Sequence, residues 1–272
     1  MKNTIKYYYN LEVDDIFYDK GRYYFLDYVF IPYYKDLDIN LYNTILMNNY
    51  YVHSIIYNKD NSYITNFENK PFILFKISKN ISIDLDVINS FNIPIKMEKK
   101  IGWDVLWENK IDYYEKNILS INNKKLKESF NYFVGMTENA ILLYKSLKLT
   151  DDYYVCHMRL NDDVDFYNPL NLIIDYKARD IVEYIKKMFF EDRNYNDYLK
   201  KYIYYSNYND VMLLFIRFLY PTFYFDCLDA YLLGDEYDLS YYEKIMAYER
   251  FLKYIYMLIR QKYQVPKIEW LS

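Results

Sequence analysis

The stretch VCHMRLNDDVDFYNPLNLIIDYKARDIVEYIKKMFF, residues 155–190, decides the fold of this chain. A short apolar segment leads into His157 and Arg159, and a polar loop rich in aspartate follows. A second apolar run ends on Asp175, and an amphipathic pattern begins beside Asp180. Short apolar runs bounded by polar residues predict strands, whereas apolar residues spaced three and four apart predict a helix. The stretch therefore predicts a strand, a polar loop, a second strand and a helix.

The first 78 residues predict a small unit that is rich in strands. Runs of β-branched and aromatic residues over residues 5–34 flank Gly21, and a glycine at that place suits a hairpin turn. Apolar residues at helical spacing over Asp38–Tyr50 predict one helix. Short strands are predicted over Val52–Tyr57, Ser62–Phe67 and Pro71–Ile77. The hairpin, the helix and these strands together predict an α+β unit.

The rest of the chain predicts a larger and mostly helical unit. Residues 79–101 are irregular and predict a connection. Residues 102–272 carry long helical patterns, with one short β insertion near residues 153–175. Ser240 and Glu243 have the spacing of a capping box in front of a C-terminal helix that ends before Pro266. Trp103 and Trp107 lie on one helical face, where burial in the core is expected.

Composition narrows the classes of function. Hydrophobic residues make up 53% of the 272 residues, which is enough for a packed core. The net charge of −4 argues against a nucleic-acid partner, because phosphate binding normally needs a basic face. The most apolar segment is broken by Arg217 and Pro221, so no membrane span is expected. Cys156 and Cys227 stand among apolar residues, which favours reduced thiols and a cytoplasmic location.

Several further stretches extend the pattern of the central segment. They are WDVLWENKIDYYEKNI (103–118), FNYFVGMTENAILLY (130–144), DYKARDIVEYIK (175–186), RFLYPTFYFDCLDAY (217–231) and VPKIEWL (265–271). In this order they resemble the spore-coat kinase-like family, of the CotS/YutH type, within the aminoglycoside phosphotransferase and protein-kinase-like superfamily. The resemblance implies an α+β, bilobal protein-kinase-like fold with a small β-rich N-terminal lobe, a larger helical C-terminal lobe and a nucleotide cleft between them. It also implies association with the spore, and partners among spore-coat components or other proteins.

The catalytic equipment that the resemblance implies is incomplete here. Active members use a glycine-rich loop, a lysine on the third strand, a His-Gly-Asp loop, an asparagine and a metal-binding aspartate to act on ATP and magnesium. His157 matches the family histidine, but Met158 and Arg159 stand where glycine and aspartate are expected. An arginine stays protonated and cannot serve as a base. The first 78 residues hold only Gly21, and Tyr23–Ile31 contains no lysine, so impaired phosphotransfer is expected.

Four residues remain candidates for a vestigial catalytic or metal site. Asp175 is either the metal-binding aspartate, from its distance to His157, or a later acidic position of the family, from the pattern Asp-x-x-x-Arg-Asp. Asp180 is either the N-cap of the next helix or a second metal ligand. His157 is a structural or a catalytic histidine. Arg159 either pairs with the aspartates of the polar loop or fills the position of the missing base.

These alternatives lead to three functional hypotheses. The first is a kinase-fold protein without efficient phosphotransfer that acts by binding or assembly. The second is an active ATP-dependent small-molecule phosphotransferase with a rearranged loop, in which Asp162, Asp163 or Asp165 is the base and Asp175 holds the magnesium ion. The third is a partner-binding module with no nucleotide site. ATP and magnesium are cofactors only under the second hypothesis.

Overall fold

The structure is a computed structural model that describes residues 1–48, 50–77, 82–91, 93–96, 101–150, 152–160 and 162–271. These residues form two compact units. The first unit comprises Met1–Ile93 and Val155–Ile174, and the second comprises Pro94–Tyr154 and Asp175–Ser272. The first unit thus extends beyond residue 78 and takes in the polar loop that follows His157.

The strands form two sheets. They are β1 (Phe17–Asp19), β2 (Arg22–Phe25), β3 (Tyr28–Pro32), β4 (Ser54–Ile56), β5 (Thr65–Phe67), β6 (Lys70–Lys76), β7 (Pro94–Ile95), β8 (Tyr153–His157) and β9 (Leu172–Asp175). The larger sheet has the order β1-β2-β3-β6-β4, with β5 also paired to β6, and the smaller has the order β7-β8-β9. The predicted hairpin is confirmed, because β1 and β2 join through Lys20 and Gly21 with φ of 47° and 79°. Positive φ at both positions is what a tight two-residue hairpin turn requires.

The helices account for most of the remaining elements. They are α1 (Lys2–Tyr9), α2 (Ile39–Met47), α3 (Leu85–Ser90), α4 (Trp103–Asn117), α5 (Lys124–Glu128), α6 (Phe130–Ser146), α7 (Asp163–Tyr167), α8 (Ala178–Phe190), α9 (Asn196–Tyr205), α10 (Tyr208–Leu219), α11 (Thr222–Leu233) and α12 (Ile245–Lys262). The predicted helix over Asp38–Tyr50 is confirmed as α2, where the Asp38 side chain accepts a hydrogen bond from the backbone N of Leu41. This contact satisfies one of the donors that every helix start leaves open.

Two local predictions are wrong. A strand pattern is predicted from residue 5, but residues 2–9 form the helix α1. Fully buried Ile5 packs against Phe25 and Phe30 of the sheet, and this packing overrides the strand propensity of the segment. The capping box at Ser240 is also absent. Ser240 donates from its backbone N and its Oγ to the carboxylate of Asp238, and residues 240–244 form a 3₁₀ turn before α12.

Both faces of the larger sheet are covered within the first unit. Side chains alternate along a strand, so neighbouring residues of β3 and β6 point to opposite faces. One face packs on α1. The other face presents buried residues that pack with Leu170 from the loop before β9, namely Val29, Ile31, Ile73 and Phe75. The sheet is therefore a central layer of this unit.

The second unit is built of helices that pack around α10, which contacts α6, α8 and α12. Helix α4 packs on α6, α6 on α10, α10 on α12, and α12 on α9. Every residue of α10 from Val211 to Leu219 is buried, which explains its apolar sequence. Within the described part of the chain no single helix is long and apolar enough to cross a membrane, although the bent pair α10 and α11 passes by length and composition alone.

Candidate functional site

His157 lies at the end of β8 and is buried in the core of the first unit. Its exposed fraction is 1%. The imidazole stacks on Phe166 with ring centroids 4.3 Å apart, and its centroid lies 5.0 Å from that of Phe91. A ring enclosed by two phenyl groups contributes to packing. His157 therefore contributes to the packing of the first unit.

The loop after His157 is held by Asn171. The side chain of Asn171 accepts a hydrogen bond from the Arg159 backbone N at 2.9 Å and donates to the carbonyl oxygens of Arg159 and Asp165. The Arg159 guanidinium donates to the Met158 carbonyl at 2.9 Å. Asn171 is 1% exposed, so it acts as an internal cross-link of the loop.

Arg22 holds two aspartates of the same loop. Its guanidinium donates to both carboxylate oxygens of Asp162, at 3.1 and 3.0 Å, and to the carboxylate of Asp165. Asp162 also caps α7 by accepting from the Asp165 backbone N at 2.8 Å. Asp163 accepts from the backbone N of Ile83 at 3.0 Å. Arg22 is therefore a basic partner of two aspartates of this loop.

No sequence pattern points to Arg22, which stands 140 residues before Asp162. Paired charges this far apart leave no periodic pattern. The ion pairs are largely shielded from solvent, since the side chains of Arg22 and Asp165 are 13% and 7% exposed. Removing one member of such a group is costly, because the charges that remain have already lost their hydration.

His53 lies beside this ion-pair group and is 1% exposed. Its backbone N donates to the Tyr167 carbonyl at 2.8 Å. Neither ring nitrogen has a hydrogen-bond partner within the described ranges. Burial, helped by the positive charge of Arg22 and partly opposed by Asp162, lowers the pKa of His53 to about 4. His53 is therefore neutral at pH 7.

The third strand, on which active members of the family carry a lysine, is apolar in this protein. Strand β3 reads YVFIP, and its residues Val29 and Ile31 are buried against Leu170. Lys35, which follows the strand, donates to the Leu172 carbonyl at 2.7 Å. This part of the first unit is an apolar contact between the sheet and the loop.

Asp175 belongs to the second unit and lies in a buried network. Its exposed fraction is 1%. One carboxylate oxygen accepts from the Trp103 indole N at 2.9 Å and from the Tyr176 backbone N at 2.8 Å. The other oxygen accepts from the Arg179 guanidinium at 2.9 Å. These donors bind the charged form of the carboxylate and hold it in place.

Asp180 is not the N-cap of α8. The cap position is Lys177, and Asp180 lies in the first turn, 5% exposed. The helix begins at Ala178, before Asp180, because the Arg179 backbone N donates to the Tyr176 carbonyl. An acidic residue in the first turn still interacts favourably with the helix dipole. Across the described residues, no group of three or more His, Cys, Asp or Glu side chains could hold a metal ion.

A second buried network surrounds Lys186. Its ammonium donates to the carbonyls of Arg217 and Tyr220 at 2.9 and 2.7 Å, at the end of α10, and lies 3.4 Å from Glu183. Burial lowers the pKa of Lys186 to about 8, although Glu183 acts in the opposite direction. Arg217 also pairs with Glu183 at 2.8 Å. This lysine caps a core helix.

The two tryptophans of α4 belong to the core, as predicted. Trp103 and Trp107 are 1% and 3% exposed, and their rings lie 5.3 Å apart. Trp107 stacks on Tyr220 with an interplanar angle of 5°. The Arg217 guanidinium lies 5.6 Å from the ring of Trp103.

The four candidate site residues divide between the two units. His157 and Arg159 are in the first unit, and Asp175 and Asp180 are in the second.

The antiparallel sheet, the polar loop between two short strands and the helical unit define an α+β protein-kinase-like fold. A crystal structure of an aminoglycoside phosphotransferase from Alicyclobacillus acidocaldarius shares it, with a TM-score of 0.54 at 7% identity over 96% of each chain. The AMP-bound complex of spectinomycin phosphotransferase is also similar, with a TM-score of 0.49 at 12% identity over 97% of this chain and 98% of that one.

Within that class, the chain belongs to the family described as "Spore coat putative kinase YutH", whose sequence model matches residues 2–255. The endospore coat-associated protein YutH of Bacillus subtilis (strain 168) is 25% identical over 273 residues, which cover 82% of this chain and 80% of that protein. The family and the fold class predicted from the sequence are confirmed.

Proposed function

We propose that this chain is a kinase-fold protein that acts by binding or assembly, without efficient phosphotransfer. The main observation in support is that the three aspartates of the polar loop all accept hydrogen bonds from other parts of the protein. Asp162 and Asp165 bind Arg22, and Asp163 binds the backbone of Ile83. A general base needs a carboxylate that can reach the proton of an acceptor hydroxyl. In this loop the carboxylates are engaged in contacts that hold the protein together.

The apolar face of the sheet supports the same proposal. A phosphate-binding lysine works by placing a positive charge against the nucleotide. Here the middle of β3 presents Val29 and Ile31, which are 0% and 1% exposed and pack with Leu170. Inserting a charged side chain into such packing would cost several kcal/mol of desolvation.

Asp175 also fits a structural role better than a magnesium site. Its contacts with Trp103 and Arg179 bring a positive charge to the position where a magnesium ion would have to bind. A cation would compete with that guanidinium for the same oxygen atom. We therefore propose that Asp175 corresponds to the later acidic position of the family pattern and supports the start of α8.

The relative's name suggests the setting in which such a protein acts. The Bacillus subtilis relative is described as endospore coat-associated. We propose that this chain likewise associates with the spore, and that its partners are coat components or other proteins. We keep the expectation that it is made in the cytoplasm.

An assay of ADP formation tests the proposal. The purified chain is incubated with magnesium-ATP and a panel of hydroxyl acceptors, and products are followed by mass spectrometry. We expect ADP at the background level of a heat-inactivated sample. Sustained ADP formation with a phosphorylated product would contradict the proposal.

The alternative is an active phosphotransferase with a rearranged loop, which the shared fold and the family's description as a kinase favour. It predicts ATP turnover that disappears in Asp175→Ala and in one of the variants Asp162→Asn, Asp163→Asn and Asp165→Asn. Circular dichroism of each variant shows whether a loss of turnover reflects chemistry or unfolding, because Asp175 is buried.

A further inference from the structure

An acidic groove lies between α4 and α6 in the second unit. It is lined by Asp112 and Glu115 from α4 and by Glu138 from α6. Its floor is apolar, because Ile111 and Ile141 are 8% and 6% exposed. The groove has a volume of ≈ 510 Å³, which suits several side chains of a docked helix.

The charge of the acidic groove is not balanced. Glu108 pairs with Lys145 at one end. Asp112, Glu115 and Glu138 have no ion-pair partner among the described residues. Three carboxylates close together on an apolar floor attract a partner that carries both positive charge and apolar surface.

The same unit carries a surface with that character. On α9, Lys200 lies four residues before Tyr204 and Lys201 four residues before Tyr205, so these four side chains share one side of the helix. The tyrosines are 70% and 80% exposed. Neither lysine has an ion-pair partner within the described ranges. We call these four residues the basic ridge.

The basic ridge is rigidly presented. Helix α9 packs on α12, and its residues Leu199 and Ile203 are 0% and 4% exposed. Its C-terminal carbonyls are held by Lys262, which donates to Ile203, Tyr204 and Ser206 at 3.0, 2.6 and 2.8 Å. A preorganised ridge loses little conformational freedom on binding, which favours association.

The groove and the ridge are carried by different helices of the second unit. Helices α4 and α6, which form the acidic groove, pack on each other, whereas α9, which carries the basic ridge, packs on α12. Since α9 is held on α12 and, among the described residues, makes no comparable packing contact with α4 or α6, the ridge of one copy does not fill its own groove, whereas a second copy can.

We propose that the basic ridge of one copy docks into the acidic groove of a second copy, so that the chain self-associates head to tail. Lysines meet carboxylates, and the tyrosine rings reach the apolar floor and exposed Leu142, in the way that a helix fills a groove. A contact between two different surfaces leaves a groove and a ridge open at the ends, so it builds chains or rings of copies. This inference does not depend on the loss of phosphotransfer, since an active enzyme could associate in the same way.

Sedimentation velocity over a concentration series tests the proposal. We expect concentration-dependent association that weakens when salt rises from about 0.05 M to about 1 M, because exposed charges are then screened. Lys200→Glu with Lys201→Glu should weaken self-association by about tenfold or more. The matched control is Arg250→Glu with Lys253→Glu, which makes the same change of charge on the exposed side of α12 and should leave association unchanged.

Exchanging the charges of the groove and the ridge distinguishes this contact from other modes of self-association. Glu115→Lys with Glu138→Lys should also abolish association, and mixing this groove variant with the ridge variant should restore it between the two proteins. A wild-type chain that stays monomeric at all concentrations and at low salt would overturn the proposal. So would association that survives the ridge variant, or a mixture in which no complex forms.

Discussion

Replacing His53 by phenylalanine should change how the stability of this protein depends on pH. His53 is buried with a pKa of about 4, against an ordinary value of 6.5. The unfolded chain therefore binds a proton that the folded chain excludes, in the window between about pH 6.5 and about pH 4. The contribution of neutral His53 to the free energy of unfolding is fully present above about pH 6.5 and decreases as the pH falls from about 6.5 to about 4.

The magnitude follows from the two pKa values of His53. At pH 5 the wild type should have lost about 2 kcal/mol of unfolding free energy relative to pH 7.5 through this residue alone. His53→Phe cannot be protonated, so it should keep that amount. At pH 7.5 the substitution should cost little, because neither ring nitrogen has a hydrogen-bond partner among the described residues that would be lost.

Urea unfolding at pH 7.5 and pH 5, followed by far-ultraviolet circular dichroism, measures the difference. Tryptophan fluorescence would be less direct, because Trp103, Trp107 and Trp270 all belong to the second unit and His53 to the first. His53→Gln serves as a second non-titrating variant if phenylalanine disturbs the packing. Parallel pH dependence in the wild type and both variants would refute the reasoning.

Three further substitutions test the buried networks by chemical denaturation. Arg22→Met should destabilise the protein by about 3 kcal/mol, because it removes the cation that faces two aspartates, whereas Lys6→Met at an exposed ion pair should leave stability unchanged. Lys186→Met should cost about 2 kcal/mol through the carbonyls left at the end of α10, and a stabilised variant would contradict this. Asp175→Asn should cost about 3 kcal/mol because the guanidinium of Arg179 loses its buried counter-charge; an unchanged melting temperature would show that this pair is not structural.

Local signals in the sequence predicted local structure well. The hairpin at Gly21 and the start of α2 at Asp38 each depend on a few neighbouring residues, and both are confirmed. Helix α1 was missed because its tyrosines favour strands, and only packing of Ile5 on the sheet reveals the helix. The start of α8 was misplaced because the backbone bond from Arg179 lies before the residue that looked like a cap.

The site was less predictable because its contacts join distant residues. The loop aspartates were visible in the sequence, but their partner Arg22 was not. The sequence does not single out His53, since a single histidine carries no pattern. Lys186 stands within the amphipathic pattern that begins beside Asp180, and only the structure shows it buried at the end of α10. The resemblance to a family supplied the fold, whereas the roles of these residues required coordinates.

The central claim is that the phosphate-handling groups of a kinase fold have been replaced here by structural contacts. The melting temperature with and without magnesium-ATP tests it most directly. A ligand at 100 times its dissociation constant would add about 2.7 kcal/mol, and for a chain of this size that raises the melting temperature by about 5–10 °C. We predict no shift at millimolar nucleotide. A rise of that size that requires both magnesium and ATP would contradict the claim.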